Sequence, residues 1–261
     1  MTDERKDQLT AEADGLIEGR NAVIEALRTE ASIDKIFIQK GEVDKTLGHI
    51  ASKARAAGIV VVEADRRKLD GMSRTHAHQG VIALAAVREY VSLEDILADA
   101  AAKGEQPLLV VCDEISDPHN LGAIIRTAYC AGAHGVVIPK RGGVGVTGTV
   151  MKASAGAAAR LPIARVPNLA QAIRTIKEHN IFVYCADLGG APLAKTDLSG
   201  PVALVLGSEG GGPGALTRKL CDAAVTLEMA PGQATGVDSY NVSVAAGILC
   251  YDVMRRRIAK K

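Results

Sequence analysis

The chain has 261 residues, more than one average domain, and its 48% apolar and 23% charged residues describe a soluble globular protein with the mass for a substantial core. No run approaches the roughly 18 to 20 uninterrupted apolar residues of a membrane helix, and residues 1–13 are polar, without the apolar stretch of a secretion signal, so the cytoplasm is the expected compartment. A net charge of +1 argues against non-specific coating of nucleic acid and favours a defined, locally docked target.

Between residues 19 and 87 short β-rich runs alternate with helical ones: strands over 35–39, 59–63 and 80–87 and a helix around 42–57, a compact α/β unit. Ser92 then caps a helical stretch, SLEDILADAAAKG, ending at Lys103 and Gly104 and read as part of a linker. From Pro107 onward the apolar strands LLVVCD, GVVIP, IFVYCAD, VALVLG and AAVTLEM, separated by helical segments, predict a doubly wound α/β domain with a parallel sheet covered on both faces. Residues 239–258 carry Val242, Ala245, Ala246, Leu249 and Val253 at helical spacing, an amphipathic helix with one face for a core or a partner subunit. The basic residues at its end, Arg255, Arg256, Arg257, Lys260 and Lys261, are expected as a solvated last turn complementing the helix dipole. Cys112, Cys130, Cys185, Cys221 and Cys250 are odd in number, widely spaced and without a C-x-x-C, as buried thiols in a reducing compartment would be. The six histidines show no zinc-like spacing, so no metal is expected.

Three constellations carry candidate chemistry. DEISDPHNLGAIIRTAYCAG (113–132) leaves a buried strand, turns at Pro118 and enters a helix near Asn120, with Arg126 nearly two turns later. An arginine after Ile124 and Ile125 serves neither core nor solubility and implies a polar site at the strand end; the plainer alternative is that Asn120 caps the helix and Arg126 reaches a surface carboxylate. VALVLGSEGGGPGAL (202–216) opens a strand into a glycine-rich turn, where a backbone can approach a ligand at the carboxyl end of a parallel strand. Within it Gly210-x-Gly212-x-x-Ala215, followed by Glu228, matches a relaxed dinucleotide fingerprint, but Glu209 intrudes at the phosphate position and too little sheet follows. GVDSYNVSVAAGILCYDV (236–253) places Ser239 and Asn241 at a helix start, Ser239 as N-cap being the plain reading.

Taken in order, N-x-x-x-x-x-R, L-G-x-E-G and S-x-N-x-S-V-A resemble the SpoU family of the SPOUT methyltransferases, over residues 107–258, and KASAGAAARLPI (152–163) is similar to that family too. GRNAVIEAL (19–27) and HQGVIA (78–83) look like the substrate-binding module of the subfamily that modifies large-subunit ribosomal RNA; His78 itself is read as ending a strand or a turn, without an acidic partner. The resemblance implies a flexible tail over 1–14, a ribosomal-protein-like α/β RNA substrate-binding domain over 15–88, a linker over 89–105 and a SPOUT domain over 106–261 with a deep trefoil knot, an exception among folds. It implies S-adenosyl-L-methionine as cofactor, held largely by backbone at Gly207, Leu227 and Tyr240 with Met229 and Asn241 nearby. It further implies a catalytic set of Asn120, Arg126, Glu209, Ser239 and Asn241, and a homodimer packed through the last helix. The implied partner is RNA, a guanosine of 23S rRNA, with neither DNA nor membrane.

Methyl transfer to a ribose 2′-hydroxyl needs that oxygen about 3 Å from the methyl group and losing its proton as it attacks. The family assigns this activation to the residue matching Arg126, yet a guanidinium with a pKa above ~12 is no base near neutral pH. Arg126 is therefore expected to clamp a phosphate and stabilise the forming alkoxide, and Glu209 to accept the proton. The chain departs from the family pattern at Leu227-Glu228-Met229, in the longer loop APGQATGVD (230–238), and in Tyr240 where relatives carry leucine; Glu228 is expected at solvent or beside a basic side chain. Two alternatives stand beside this reading, a tRNA ribose methyltransferase and a non-catalytic rRNA-binding assembly factor, and cofactor binding separates the enzymes from the latter.

Overall fold

The computed structural model describes residues 15–29, 31, 33–41, 44–230 and 239–259; the expected tail, loop residues 231–238 and Lys260 and Lys261 lie outside the described residues. The chain divides into two compact units, one running to Glu89 and including Val146–Thr149, the other made of Tyr90–Gly145 and the residues from Val150 on.

The first unit is a four-stranded sheet in the order β1-β4-β2-β3, built from β1 (Leu16–Glu18), β2 (Ile33–Gln39), β3 (Val60–Ala64) and β4 (Val81–Ala85). β4 lies antiparallel between β1 and β2, and β2 pairs parallel with β3. Strand alternation sends Ile36 and Ile38 to one face, where they meet Val23 and Leu27 of α1 (Arg20–Arg28) and Leu47 and Ile50 of α2 (Lys45–Ala56). Phe37 and Ile82 point to the other face, against Leu69 of α3 (Arg66–Met72). This short helix has Leu69 as its one buried residue, too little for an apolar period to show in sequence. His78 corrects the sequence reading: its Nε2 lies 2.9 Å from Asp70 Oδ1 on α3, and its Nδ1 accepts from Gly80 N at 3.0 Å. Those two bonds select the neutral tautomer with its proton on Nε2.

The second unit holds a six-stranded sheet, all parallel, in the order β10-β8-β9-β5-β6-β7. Its strands are β5 (Leu108–Cys112), β6 (Gly135–Pro139), β7 (Ile163–Val166), β8 (Phe182–Pro192), β9 (Val202–Leu206) and β10 (Ala223–Thr226). The α/β class with a parallel sheet is as expected, and β7 is added to the five strands read from sequence. IARV is four residues long and carries Arg165, so it lacks the apolar run that marked the others. The helices are α4 (Leu93–Ala102), α5 (Pro118–Cys130), α6 (Gly148–Ala153), α7 (Leu169–Glu178), α8 (Ala215–Leu220) and α9 (Val242–Ala259).

Ser92 caps α4 as expected, in a reciprocal capping box with Asp95, but the helix is no linker. Its Leu93, Ile96 and Leu97 are buried with Ile173 and Ile176 of α7 against Leu109, Val111, Val137 and Val205, so the stretch belongs to the second core. The end of α9 also differs from a solvated turn. Arg257 donates from Nη1 to Gln106 O at 2.7 Å and from Nη2 to Pro107 O at 2.8 Å and Gly200 O at 2.9 Å, which ties the helix to the entrances of β5 and β9. Arg256 bonds Asp252 and the carbonyl of Leu193, and Arg255 bonds Asp252.

Glu18, at the end of β1, accepts from Ser73 Oγ at 2.5 Å, Thr75 Oγ1 at 2.7 Å and Arg74 N at 2.8 Å. Burial raises its pKa, but these bonds together outweigh it and hold the carboxyl at about 2, below the ordinary 4.5. A depressed pKa stabilises the fold above the unfolded value and is lost as pH falls from 4.5 toward 2. Glu18→Gln should therefore lower stability at neutral pH and flatten that acid limb; urea titrations at a series of pH values, giving the same acid limb for variant and wild type, would refute the assignment.

Candidate active site

β5 and β9 are neighbours at the centre of the sheet, and the chain leaves them to opposite sides, β6 and β7 on one, β8 and β10 on the other. The crevice at the carboxyl ends of such a pair is where open parallel sheets take ligands. Directly after β9 the backbone folds back on itself. A Cβ on Gly207 would lie 1.9 Å from the carbonyl carbon of Gly212, so only glycine fits. Ser208 N donates to Gly212 O at 3.1 Å and Gly212 N to Ser208 O at 3.0 Å, with positive φ at Gly210 and Gly212. These amides satisfy each other and make no cradle for a pyrophosphate, which removes the dinucleotide fingerprint as a reading.

Asp113, just past β5 and buried, braces this loop: its Oδ2 accepts from Gly214 N at 2.9 Å and its own N donates to Leu206 O at 2.8 Å. The sequence reading missed it, although a carboxylate closing an apolar strand was its signal. On the other side β8 leaves β9 after Cys185, and its register with β10 jumps between the pairs Cys185/Ala224 and Ala191/Val225. Between these pairs the strand bulges, and Ala186, Asp187 and Leu188 form a wall, braced by an ion pair of 2.8 Å between Asp187 and Arg218 that was also not foreseen. Between wall and loop lies a pocket of about 310 Å³.

Gly207, Glu209, Leu227, Ser239 and Tyr240 line that pocket, whereas Met229 does not. At its rim three side chains from the three motifs meet. Asn120 Nδ2 donates to Glu209 Oε1 at 3.0 Å, Asn241 Nδ2 donates to Asn120 Oδ1 at 3.1 Å, and Asn241 Nδ2 also bonds Glu209 Oε1. Asn120 is free for this because Asp117 caps α5, accepting from the amides of His119 and Asn120. Likewise the cap of α9 is Asn241 and not Ser239: its Oδ1 accepts from Ser243 N at 2.9 Å and Ser243 Oγ at 2.6 Å. One carboxamide therefore starts a helix with its oxygen and joins the cluster with its nitrogen. Arg126 lies nearly two turns beyond Asn120 on α5, exposed, with no ion pair among the described residues, and it does not line the pocket. Glu228 is exposed, and its carbonyl accepts from the Tyr240 hydroxyl at 3.4 Å.

The two ends of Asn241 can be separated experimentally. Asn241→Ala should cost about 1 kcal/mol of stability through the lost cap, whereas Asn241→Asp keeps the acceptor but sets an oxygen against the Glu209 carboxylate. Denaturant midpoints and ligand-dependent activity of both variants check this: the aspartate variant should stay near wild-type stability only if the loss of the cap, and not of the cluster, dominates, while both lose activity.

Residues 107–251 match the SpoU rRNA Methylase family, and residues 16–91 match the RNA 2′-O ribose methyltransferase substrate binding family. The chain is 45% identical over 240 residues to YacO of Bacillus subtilis, assigned to the TrmH family of tRNA/rRNA methyltransferases, covering 92% of this chain and 94% of that one. It is 40% identical over 245 residues to the 23S rRNA (guanosine-2′-O-)-methyltransferase RlmB of Ralstonia nicotianae, covering 93% and 96%. Among solved structures, the AdoMet-bound rRNA methyltransferase from Sinorhizobium meliloti aligns with a TM-score of 0.57 at 28% identity, over 92% of this chain and 87% of that one. With two family matches in tandem and relatives spanning nearly its whole length, the chain belongs to the SpoU rRNA methylase family.

Proposed function

We propose that the chain transfers the methyl group of S-adenosylmethionine to a ribose 2′-hydroxyl in RNA, and that its target is a guanosine of large-subunit rRNA. The observation that carries this reading is the meeting of Asn120, Glu209 and Asn241, from three separated segments, at the mouth of one pocket. The pocket fits the cofactor: about 310 Å³ suits one small molecule, Leu188, Leu206, Val225 and Leu227 offer an apolar wall to an adenine, and the 207–212 loop offers backbone without side-chain bulk. When bound, the cofactor supplies an electrophilic sulfonium methyl group.

The chain's own residues supply placement and a proton acceptor. Asn120 and Asn241 both bond Oε1 of Glu209 and leave Oε2 uncommitted among the described residues. That second oxygen is open to accept a hydrogen bond from the hydroxyl of a bound ribose. Glu209 takes the hydroxyl proton as the oxygen attacks. Arg126, permanently charged and without a carboxylate partner among the described residues, grips the phosphate beside the target ribose.

Support for rRNA comes from the match of residues 16–91 to the substrate-binding family and from the likeness to RlmB. In this reading residues 15–88 recruit RNA and the methyltransferase domain, knotted near its end, starts with α4 and not at residue 106; the placement of Leu227, Ser239 and Tyr240 beside the 207–212 loop supports the knot. All five cysteines are thiols, as befits the cytoplasm. The enzyme is a homodimer through α9, whose Val244, Ile248, Tyr251 and Ile258 are exposed at helical spacing, with Tyr129 exposed on α5, against which α9 packs.

Calorimetry with S-adenosylhomocysteine and mass-spectrometric mapping of ribose methylation on 23S rRNA and tRNA transcripts test the reading; no binding would favour a non-catalytic factor, and a tRNA product would move the target. Glu209→Gln should lower the single-turnover rate by roughly 10²-fold or more while cofactor affinity holds, and a wild-type rate from pH 6 to 9 overturns its role. Ile248→Asp should shift the mass measured by light scattering from dimer to monomer.

A further inference from the structure

We infer that the first unit carries a preformed pocket for one unstacked nucleotide of the substrate RNA, built by the GRNAV and HQG stretches to which the methyl-transfer site gives no role. The inference rests on the RNA methyltransferase reading above. A cavity of about 540 Å³ is lined by Arg20, Gln39, Arg66, His76, His78 and Gln79, with Ala77 and Gly80. Two arginines and two histidines face it, and no carboxylate does among the described residues. With Arg20 paired to Asp44 and His78 bonded to Asp70, Arg66 is the cation this concave lining holds out to an anion, and its size suits a nucleotide but excludes a duplex.

Its wall is the loop between α3 and β4, clamped at three points. Glu18 holds Ser73, Arg74 and Thr75. Arg20 donates from Nε to Gln79 O at 3.1 Å and from its backbone N to Gln79 Oε1 at 3.2 Å. His78 spans Asp70 and Gly80. Between these clamps His76 and Gln79, neither of them glycine, hold φ of 56° and 52°. Left-handed backbone at such residues persists only where the surroundings over-determine it, and it gathers at ligand sites.

The clamps also set the chemistry on offer. With Oε1 of Gln79 taken by the Arg20 backbone, its Nε2 is the end of the amide left to donate. Arg66, whose side chain is 74% exposed with only a 3.9 Å approach to Asp70, and exposed His76 present planar groups at the mouth. Stacking on arginine or histidine planes, hydrogen bonds to base edges and a charge for the phosphate are how proteins read splayed-out RNA bases. Because the loop is fixed beforehand, little ordering cost accompanies binding.

The test compares the full chain with Arg66→Glu, His76→Ala and the double variant, using unmodified 23S rRNA transcribed in vitro as probe and filter binding across a salt series. The double variant should bind RNA at least about tenfold more weakly, and the Arg66 variant should lose about one unit of salt slope. Circular dichroism and S-adenosylhomocysteine affinity report the folding of the two units. A folded double variant with wild-type RNA affinity overturns the pocket and leaves the methyl-transfer reading standing, whereas a wild type that binds S-adenosylhomocysteine but no RNA overturns both.

Discussion

The second unit turns on a backbone-to-backbone contact: Gly207 lies so close to Gly212 that the residue after β9 has no room for even a methyl group. That closure reverses the chain at the central crevice, and Asp113 locks it from the neighbouring strand through Gly214. Glu209 then projects from the tip of a short, self-bonded loop, where Asn120 and Asn241 reach it. Loosen the turn and the pocket wall, the carboxylate and the two amides lose their common reference. The site is thus a geometric product of one steric constraint, with side-chain hydrogen bonds acting as its fine adjustment.

Much of the architecture was legible because β5, β6 and β9 are continuous apolar runs, the mark of strands buried on both faces, and β8 opens on the apolar run FVYCA. β7 escaped because four residues with an arginine among them carry no such mark, and its strand character comes from pairing with β6. The helix of 93–102 was read correctly but assigned to a linker, since a capped amphipathic helix does not announce what its apolar face will cover. In the site, the motif residues were visible as polar groups at strand ends, but the division of roles was not. Which of Asp117 and Asn120 caps α5, and which of Ser239 and Asn241 caps α9, depends on local φ and ψ that residue identity leaves open. His78 and Asp70 lie on different elements, so their bond belonged to tertiary structure and could not be read from spacing.

The arginines show how weak a guide net charge is to function. Arg257 is consumed by backbone carbonyls, Arg218 and Arg256 by carboxylates, and Arg20 is held at 2.5 Å by Asp44 and bonded to the Gln79 carbonyl. Arg126 and Arg66 are exposed instead, Arg126 without an ion pair among the described residues and Arg66 with a 3.9 Å approach to Asp70. A chain with a formal charge of +1 can therefore present cationic groups at chosen points while several of its arginines act as internal fasteners.

The last helix is pinned at both ends, by Asn241 at the carboxyl rim of the sheet and by Arg257 at the opposite edge. Its 18 residues make a rod of about 27 Å, and each residue turns it by about 100°. A one-residue insertion or deletion between the pins thus swings one of them off its mark, so α9 tolerates no change of length.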